Sequence, residues 1–235
     1  MLKLHLGCGR KYLPGYVNID FPVEEQSIQL DLRADIYVDL RELNVEHATI
    51  DEIRIHHVFE HFPRPVALAL LCKWSDWLKP GGLLIVETPD LMSSAWLLVS
   101  PFHTFARKME VVRHLFGSHE AAWAAHWDGW FARRFSKTFK RIGYRRLRFK
   151  RTRWAMLRNI EAHAMRDDHR FSIEDYRQEV ERILSDSLVK HRSWRNLLPL
   201  RTGESERDML RIWMTEWERF YQSGNPVADL SQWAH

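Results

Sequence analysis

LKLHLGCGRKYLPGYVNID, residues 2–20, is the stretch on which the fold turns. Leu2, Leu4 and Leu6 alternate with polar residues, as a half-buried strand does. The run breaks at Gly7-Cys8-Gly9, where glycine permits backbone conformations and close approaches that a side chain forbids. A second short apolar run then ends at Asp20. In an open α/β sheet, ligands sit at the carboxyl ends of the strands, and an acid ending the second strand can accept hydrogen bonds from ribose hydroxyls. The competing reading of Asp20 is a turn residue, because Phe21-Pro22 follows it.

Working outward, the pattern predicts strands at 2–6, 16–20, 35–38, 52–56, 83–88, 145–150 and 156–165. Val66, Leu70, Leu71, Trp74 and Leu78 share one helical face, predicting a helix over 64–78. Pro80-Gly81-Gly82 stops that helix and turns the chain into LLIVET. Residues 21–50 are thin in helical pattern. Residues 91–130 form an insertion rich in Trp, Phe and His, of the kind that builds lids and substrate pockets. A helix is expected over 131–142. Ser172-Ile173-Glu174-Asp175 then offers an N-cap and an acidic first turn to a helix reaching about Leu188, and a further helix spans 204–222. Strands alternating with helices predict an α/β fold, a mostly parallel seven-stranded sheet with helices on both faces. The organisation expected is a main domain at 1–166 and a C-terminal helical extension at 167–235.

The chain has 235 residues, 45% hydrophobic and 28% charged, ordinary for a globular protein. No run approaches the roughly 20 apolar residues of a membrane span. MLKLHLGCG enters the first strand at once, so no signal peptide is expected, and two distant cysteines, Cys8 and Cys72, suggest neither a disulfide framework nor a zinc cluster. The compartment expected is cytoplasmic, with peripheral contact at the inner membrane face. The net charge of +4 hides an asymmetry: from Arg133 to Arg158 there are twelve basic residues and no acid. Such a block suits an anionic partner or is a solvated face balanced by acids elsewhere.

Asp39-Leu40, His57-Val58-Phe59-Glu60-His61 and WLKPGGLLIVETPD follow the opening stretch in order. Together they resemble the class I S-adenosylmethionine-dependent methyltransferases, and most of all a small bacterial group that accompanies polysaccharide and lipopolysaccharide assembly. The resemblance spans residues 2–165 and implies a Rossmann-like sheet, with the insertion on the substrate side. It implies that S-adenosyl-L-methionine lies against Gly7, Cys8 and Gly9, that Asp20 binds the ribose, that Asp39 and Leu40 lie beside adenine, and that His57 ends the fourth strand beside the cofactor. The family loop carries an acid before its glycines; here His5 precedes Leu6-Gly7, and Arg10 follows Gly9.

His57 to His61 also matches the H-x-x-E-H pattern of inverted zinc proteases, which needs one continuous helix. Phe62-Pro63-Arg64-Pro65 disfavours that helix, so no metal is expected. Candidate catalytic histidines are His126 and His119 in the insertion, with His57; imidazole titrates near neutrality and can take a hydroxyl proton. Each is alternatively a surface or capping residue among thirteen histidines. The resemblance implies O-methylation of a sugar hydroxyl on a glycan or lipid-linked polysaccharide precursor, with glycan-assembly enzymes or an anionic membrane as partners. The alternatives are an RNA or small-molecule methyltransferase, or a non-catalytic binding module. Aromatic residues interleave the basic block as in nucleic-acid readers, yet a half-buried strand requires the same alternation, and specific nucleic-acid binding is not expected.

Overall fold

The computed structural model describes residues 1–22, 32–191, 201–226 and 230. Seven strands form one sheet: β1 (Lys3–Leu6), β2 (Val17–Asp20), β3 (Ile36–Tyr37), β4 (Ile50–His56), β5 (Leu78–Pro89), β6 (Tyr144–Trp154) and β7 (Leu157–Arg166). Their spatial order is β3-β2-β1-β4-β5-β7-β6. All neighbouring pairs from β3 to β5 run parallel, and β7 lies antiparallel between β5 and β6. The chain leaves β1 in one direction towards β3 and returns to β4 on its other side. That reversal makes a Rossmann-like sheet with a switch point at the carboxyl ends of β1 and β4.

Among the described residues six α-helices accompany the sheet: α1 (Arg64–Trp77), α2 (Leu91–Val99), α3 (Phe105–Phe116), α4 (Ala132–Arg141), α5 (Ile173–Ser185) and α6 (Glu204–Gln222). Helix α1 is buried on nearly every side, including Lys73, whose Nζ donates to the Ser223 carbonyl at 2.6 Å. A helix apolar all round must be covered all round. The sheet covers one side, and Tyr176, Val180 and Leu184 of α5 with Met214 and Trp217 of α6 complete the same core. Helices α5 and α6 therefore share their packing with the sheet domain.

The expectation of helices on both faces is met unequally. Leu4, Leu6, Ile53, Ile55, Leu84, Val86, Ala162 and Ala164 point to a fully buried face beneath α1 and α4. The alternate residues carry Lys3, His5, Glu52, Arg54, His56, Glu87, Glu161 and His163 to the other face, matched across strands in the registers Arg54↔Ile85, His56↔Glu87 and Glu87↔Glu161. Among the described residues, α2 and α3 meet that side only around the start of β7, where Asp90 N and His114 reach the Arg158 carbonyl. The cause is connection length. β1 joins β2 through residues 7–16 without a helix, and the described part of 21–49 contains no α-helix. Residues 23–31 of the segment read as helix-poor lie outside the described residues.

Candidate active site

At the end of β1 the chain turns through Gly7 (φ 65°) and Gly9 (φ 53°), both left-handed. A Cβ on Gly7 would lie 2.2 Å from Val58 Cγ2, so only glycine lets the loop after β1 meet the loop after β4. The carboxylate of Asp20, at the end of β2, accepts from Gly9 N and, at 3.5 Å, from the Cys8 thiol, while its other oxygen accepts from Phe21 N at 2.7 Å. Burial, then the Asp20 charge, pushes the Cys8 thiol up to about 12, so it is an inert donor that steadies the turn. His5 stands where the family carries its acid. Its ring is buried against Asn18 (3.1 Å), and burial lowers its pKa, leaving a neutral imidazole.

Asp39 and Leu40 are occupied locally. Arg41 donates to Asp39 through its backbone N (2.8 Å) and through Nε and Nη2, and Leu40 is buried in the core. The Asp39 carboxylate thus serves in the turn at residues 39–42, and Leu40 packs inward beside it.

His57 is the hub of the site. It is a left-handed non-glycine residue (φ 54°) directly after β4, a conformation held by surrounding contacts. Nδ1 lies 3.1 Å from Glu60 Oε1, and Nε2 lies 3.4 Å from Glu87 Oε1 and 3.0 Å from the Asn159 amide. Burial works against a charge on the ring, but the bonds to Glu60 and Glu87 outweigh it and carry its pKa up to about 10. Both carboxyls are held below their usual range: burial raises them and His57 overcomes it. Asn159 Nδ2 also donates to Glu87 Oε1 at 3.0 Å, and its Oδ1 is buried without a partner. With both ring nitrogens facing partners, His57 holds the turn after β4 against β5 and β7.

The insertion returns across this turn. Trp127 N donates to the Glu60 carbonyl at 2.8 Å and His126 N to the Phe116 carbonyl at 3.0 Å, setting the His126 ring edge-on to His61 at 4.6 Å. Burial is the main cause that lowers His126 to about 4, so it is neutral at physiological pH. His119 does not join this cluster. It sits exposed after α3 with φ 57°, and Nε2 lies 2.7 Å from the Phe116 carbonyl, so its catalytic assignment is corrected to a helix-end contact. Asp128 is clamped by Arg134 (2.5 Å) and Arg64 (3.2 Å) and does not orient His126. His114, buried and neutral by desolvation, lies 6.0 Å from His57.

Glu87 and Asn159 were missed as site residues. Glu87 was visible only as an acid within the apolar strand LLIVET. Asn159 becomes a partner of His57 through antiparallel pairing of β7 with β5.

The residues at the switch point fit an S-adenosylmethionine-sized nucleoside: a glycine turn with no room for a Cβ at Gly7, and a carboxylate one strand over at Asp20. A cavity of about 520 Å³ lies at the opposite end of the sheet, lined by His47, Asp76, Arg170 and Tyr221. The Asp76 carboxylate there already accepts from the Tyr176 and Tyr221 hydroxyls at 3.1 and 2.8 Å.

No family model matches the chain, and no curated protein matches it. Solved structures resembling it include a possible exported protein from Bordetella parapertussis (15% identity, TM-score 0.45), which covers 71% of this chain and of which this chain spans less than two thirds, 62%. Burkholderia thailandensis 1,6-didemethyltoxoflavin-N1-methyltransferase with S-adenosylhomocysteine bound has 13% identity and TM-score 0.48, over 71% of both chains. Magnesium protoporphyrin IX methyltransferase from Synechocystis PCC 6803 has 14% identity and TM-score 0.46, over 71% of this chain and 74% of that one. At this distance, function has to be argued from the residues of the chain itself.

Proposed function

We propose that this chain is an S-adenosylmethionine-dependent O-methyltransferase acting on a sugar hydroxyl of a glycan or lipid-linked polysaccharide precursor. The observation that carries the reading is the contact of Gly7 with Val58 at the switch point, with His57 and His126 held on the same rim. Gly7 and Gly9 bring backbone to the cofactor, and Asp20 accepts from its ribose. The cofactor supplies a methyl group already activated on positive sulfur. His57, Glu60 and Glu87 fix the rim, and their summed charge is negative, which suits a sulfonium. Neutral His126 takes the hydroxyl proton as the methyl group arrives.

The acceptor class has its own support. Trp96, Val99, Phe102 and Phe105, at the turn between α2 and α3, are 72%, 70%, 92% and 79% exposed. Aromatic and aliphatic side chains exposed together on the helices that carry half-buried Lys108 and exposed Arg113 suit an anionic membrane surface that carries lipid-linked glycans. Among the described residues no helix is long and apolar enough to cross a membrane.

Calorimetry with S-adenosylhomocysteine, followed by radiolabelled methyl transfer to lipid-linked glycan extracts, tests the reading. Saturable binding and label in glycan support it; a folded chain that binds no cofactor at millimolar concentration is a binding module instead. A second reading, RNA as acceptor, is favoured by exposed Arg146, Arg148, Lys150, Arg151 and Arg153 interleaved with Phe149 and Trp154 on β6. β6 is an edge strand, where a run of cations also blocks strand-to-strand association. Non-specific RNA binding should collapse between about 50 and 200 mM salt by counterion release; salt-resistant methylation of RNA would reverse the ranking.

A further inference from the structure

The turn after β4 and the returning end of the insertion bring Glu60, His61 and His126 together, with one ligand atom from each lying within 4.8 Å of the others. We propose that these three side chains bind a divalent transition-metal ion of the zinc class, with one coordination position left open to an oxygen ligand.

Glu60 is 1% exposed; Oε1 is held by His57, and Oε2 is buried without a partner. A buried carboxylate oxygen left without a donor is costly, and few folded proteins tolerate one without a reason. His61 has Nδ1 3.2 Å from the Ala125 carbonyl, a contact that fixes the proton on Nδ1 and leaves the Nε2 lone pair available. His126 Nδ1 is likewise buried without a partner. Two buried polar atoms without partners, Glu60 Oε2 and His126 Nδ1, thus meet the His61 ring in one cluster. Two imidazoles and a carboxylate favour zinc and its transition-metal neighbours over magnesium or calcium, which prefer all-oxygen sets. Three protein ligands with a fourth position open is the arrangement of reactive zinc sites. Ligand bonds of about 2.0–2.2 Å require the three atoms to draw closer together, which rotation of the half-buried histidine rings allows.

Supporting contacts are already in place. His57 orients Glu60, the Ala125 carbonyl orients His61, and the Trp127 N–Glu60 O bond ties the insertion to the turn. The set differs from the inverted protease pattern, since His57 acts behind Glu60 and His126 supplies the third ligand. A second group, His56, Glu87 and Glu161, has the spacing but not the deficit: Glu87 is engaged by His57 and Asn159, and Glu161 by His163. Ion binding needs neither cofactor nor acceptor and stands apart from the methyltransferase reading. A loaded ion would occupy the His126 lone pair, so His126 would serve as proton acceptor only in the ion-free chain.

The test is titration of the chelator-stripped, full-length chain with zinc, read by calorimetry, and with cobalt(II), read by its visible absorption. One ion per chain is expected. Affinity should fall by at least about 100-fold in His61→Ala and in His126→Ala, and stay unchanged in His103→Ala elsewhere in the insertion. Glu60 is buried, so Glu60→Gln can fail to fold; the half-buried histidines keep the test decisive when circular dichroism shows them folded. A folded, stripped chain without saturable zinc binding overturns the proposal, as does binding that neither histidine substitution weakens.

Discussion

The two ends of the sheet are built in opposite ways. At the amino-terminal end, Asp76 is enclosed by two phenols, and burial raises its carboxyl above the ordinary range. A cavity of about 520 Å³ lies there, yet its central acid already has its hydrogen bonds. At the carboxyl end, His57 and the two loop glycines are left-handed, and Glu60, His126 and Asn159 keep buried polar atoms without partners. The amino-terminal end also carries a left-handed Ala48 and an unpartnered His47 Nε2, so what distinguishes the carboxyl end is the convergence of such groups around His57. Substitutions at one end should cost stability and at the other should cost binding or turnover.

The largest effect that would break this contrast is at His126. His126→Ala is expected to lower methyl transfer by about 10²–10⁴ while cofactor affinity stays near wild type. A loss of affinity equal to the loss of rate would move His126 out of the acceptor site. Next is Trp217→Ala in α6, a fully buried side chain that ties the C-terminal helices to α1. It should destabilise the whole chain by about 3–5 kcal/mol in a single urea transition. Two separate transitions in the wild type would show that the extension folds by itself.

Asp20→Ala sharpens the contrast from the working side. It removes a charged acceptor and should weaken S-adenosylhomocysteine binding by about 1.5–3 kcal/mol; unchanged affinity in a folded variant would end the ribose assignment. Tyr221→Phe probes the satisfied end and should cost about 1 kcal/mol of stability with turnover unaltered. The smallest effect is pH-dependent. Folding raises the pKa of His57, so its ion pairs stabilise fully below its unfolded value near 6.5 and are lost as pH rises towards 10. For a ring about one-third exposed, screening reduces that swing to the order of 1 kcal/mol. His57→Gln should flatten the stability profile over that range in thermal melts.

Local pattern carried most of the architecture. The helix expected at 64–78 is Arg64–Trp77, and the second C-terminal helix spans Glu204–Gln222 as expected. The strand expected at 83–88 begins earlier, at Leu78, because Lys79 to Gly82 bulge outward while Leu78 still pairs with Ile50. The basic strand also departs from simple alternation. Arg146 is left-handed and the register slips between Arg145 and Arg148, so Phe149 faces Ala162 from an exposed edge. The site was less legible. His119 and His126 are chemically alike in the sequence, and only the docking of the insertion on Glu60 separates them.

By itself, then, the chain's order of residues determined the elements: apolar periodicity, proline and glycine punctuation and helix caps act within a few residues of one another. The burial of α1 on both sides and the unequal faces of the sheet were decided only by tertiary structure, as were the charge on His57 and the meeting of Glu60 with His61 and His126. These depend on which segments distant in sequence are brought within a hydrogen bond's reach, and on how much water they exclude, which no local pattern encodes.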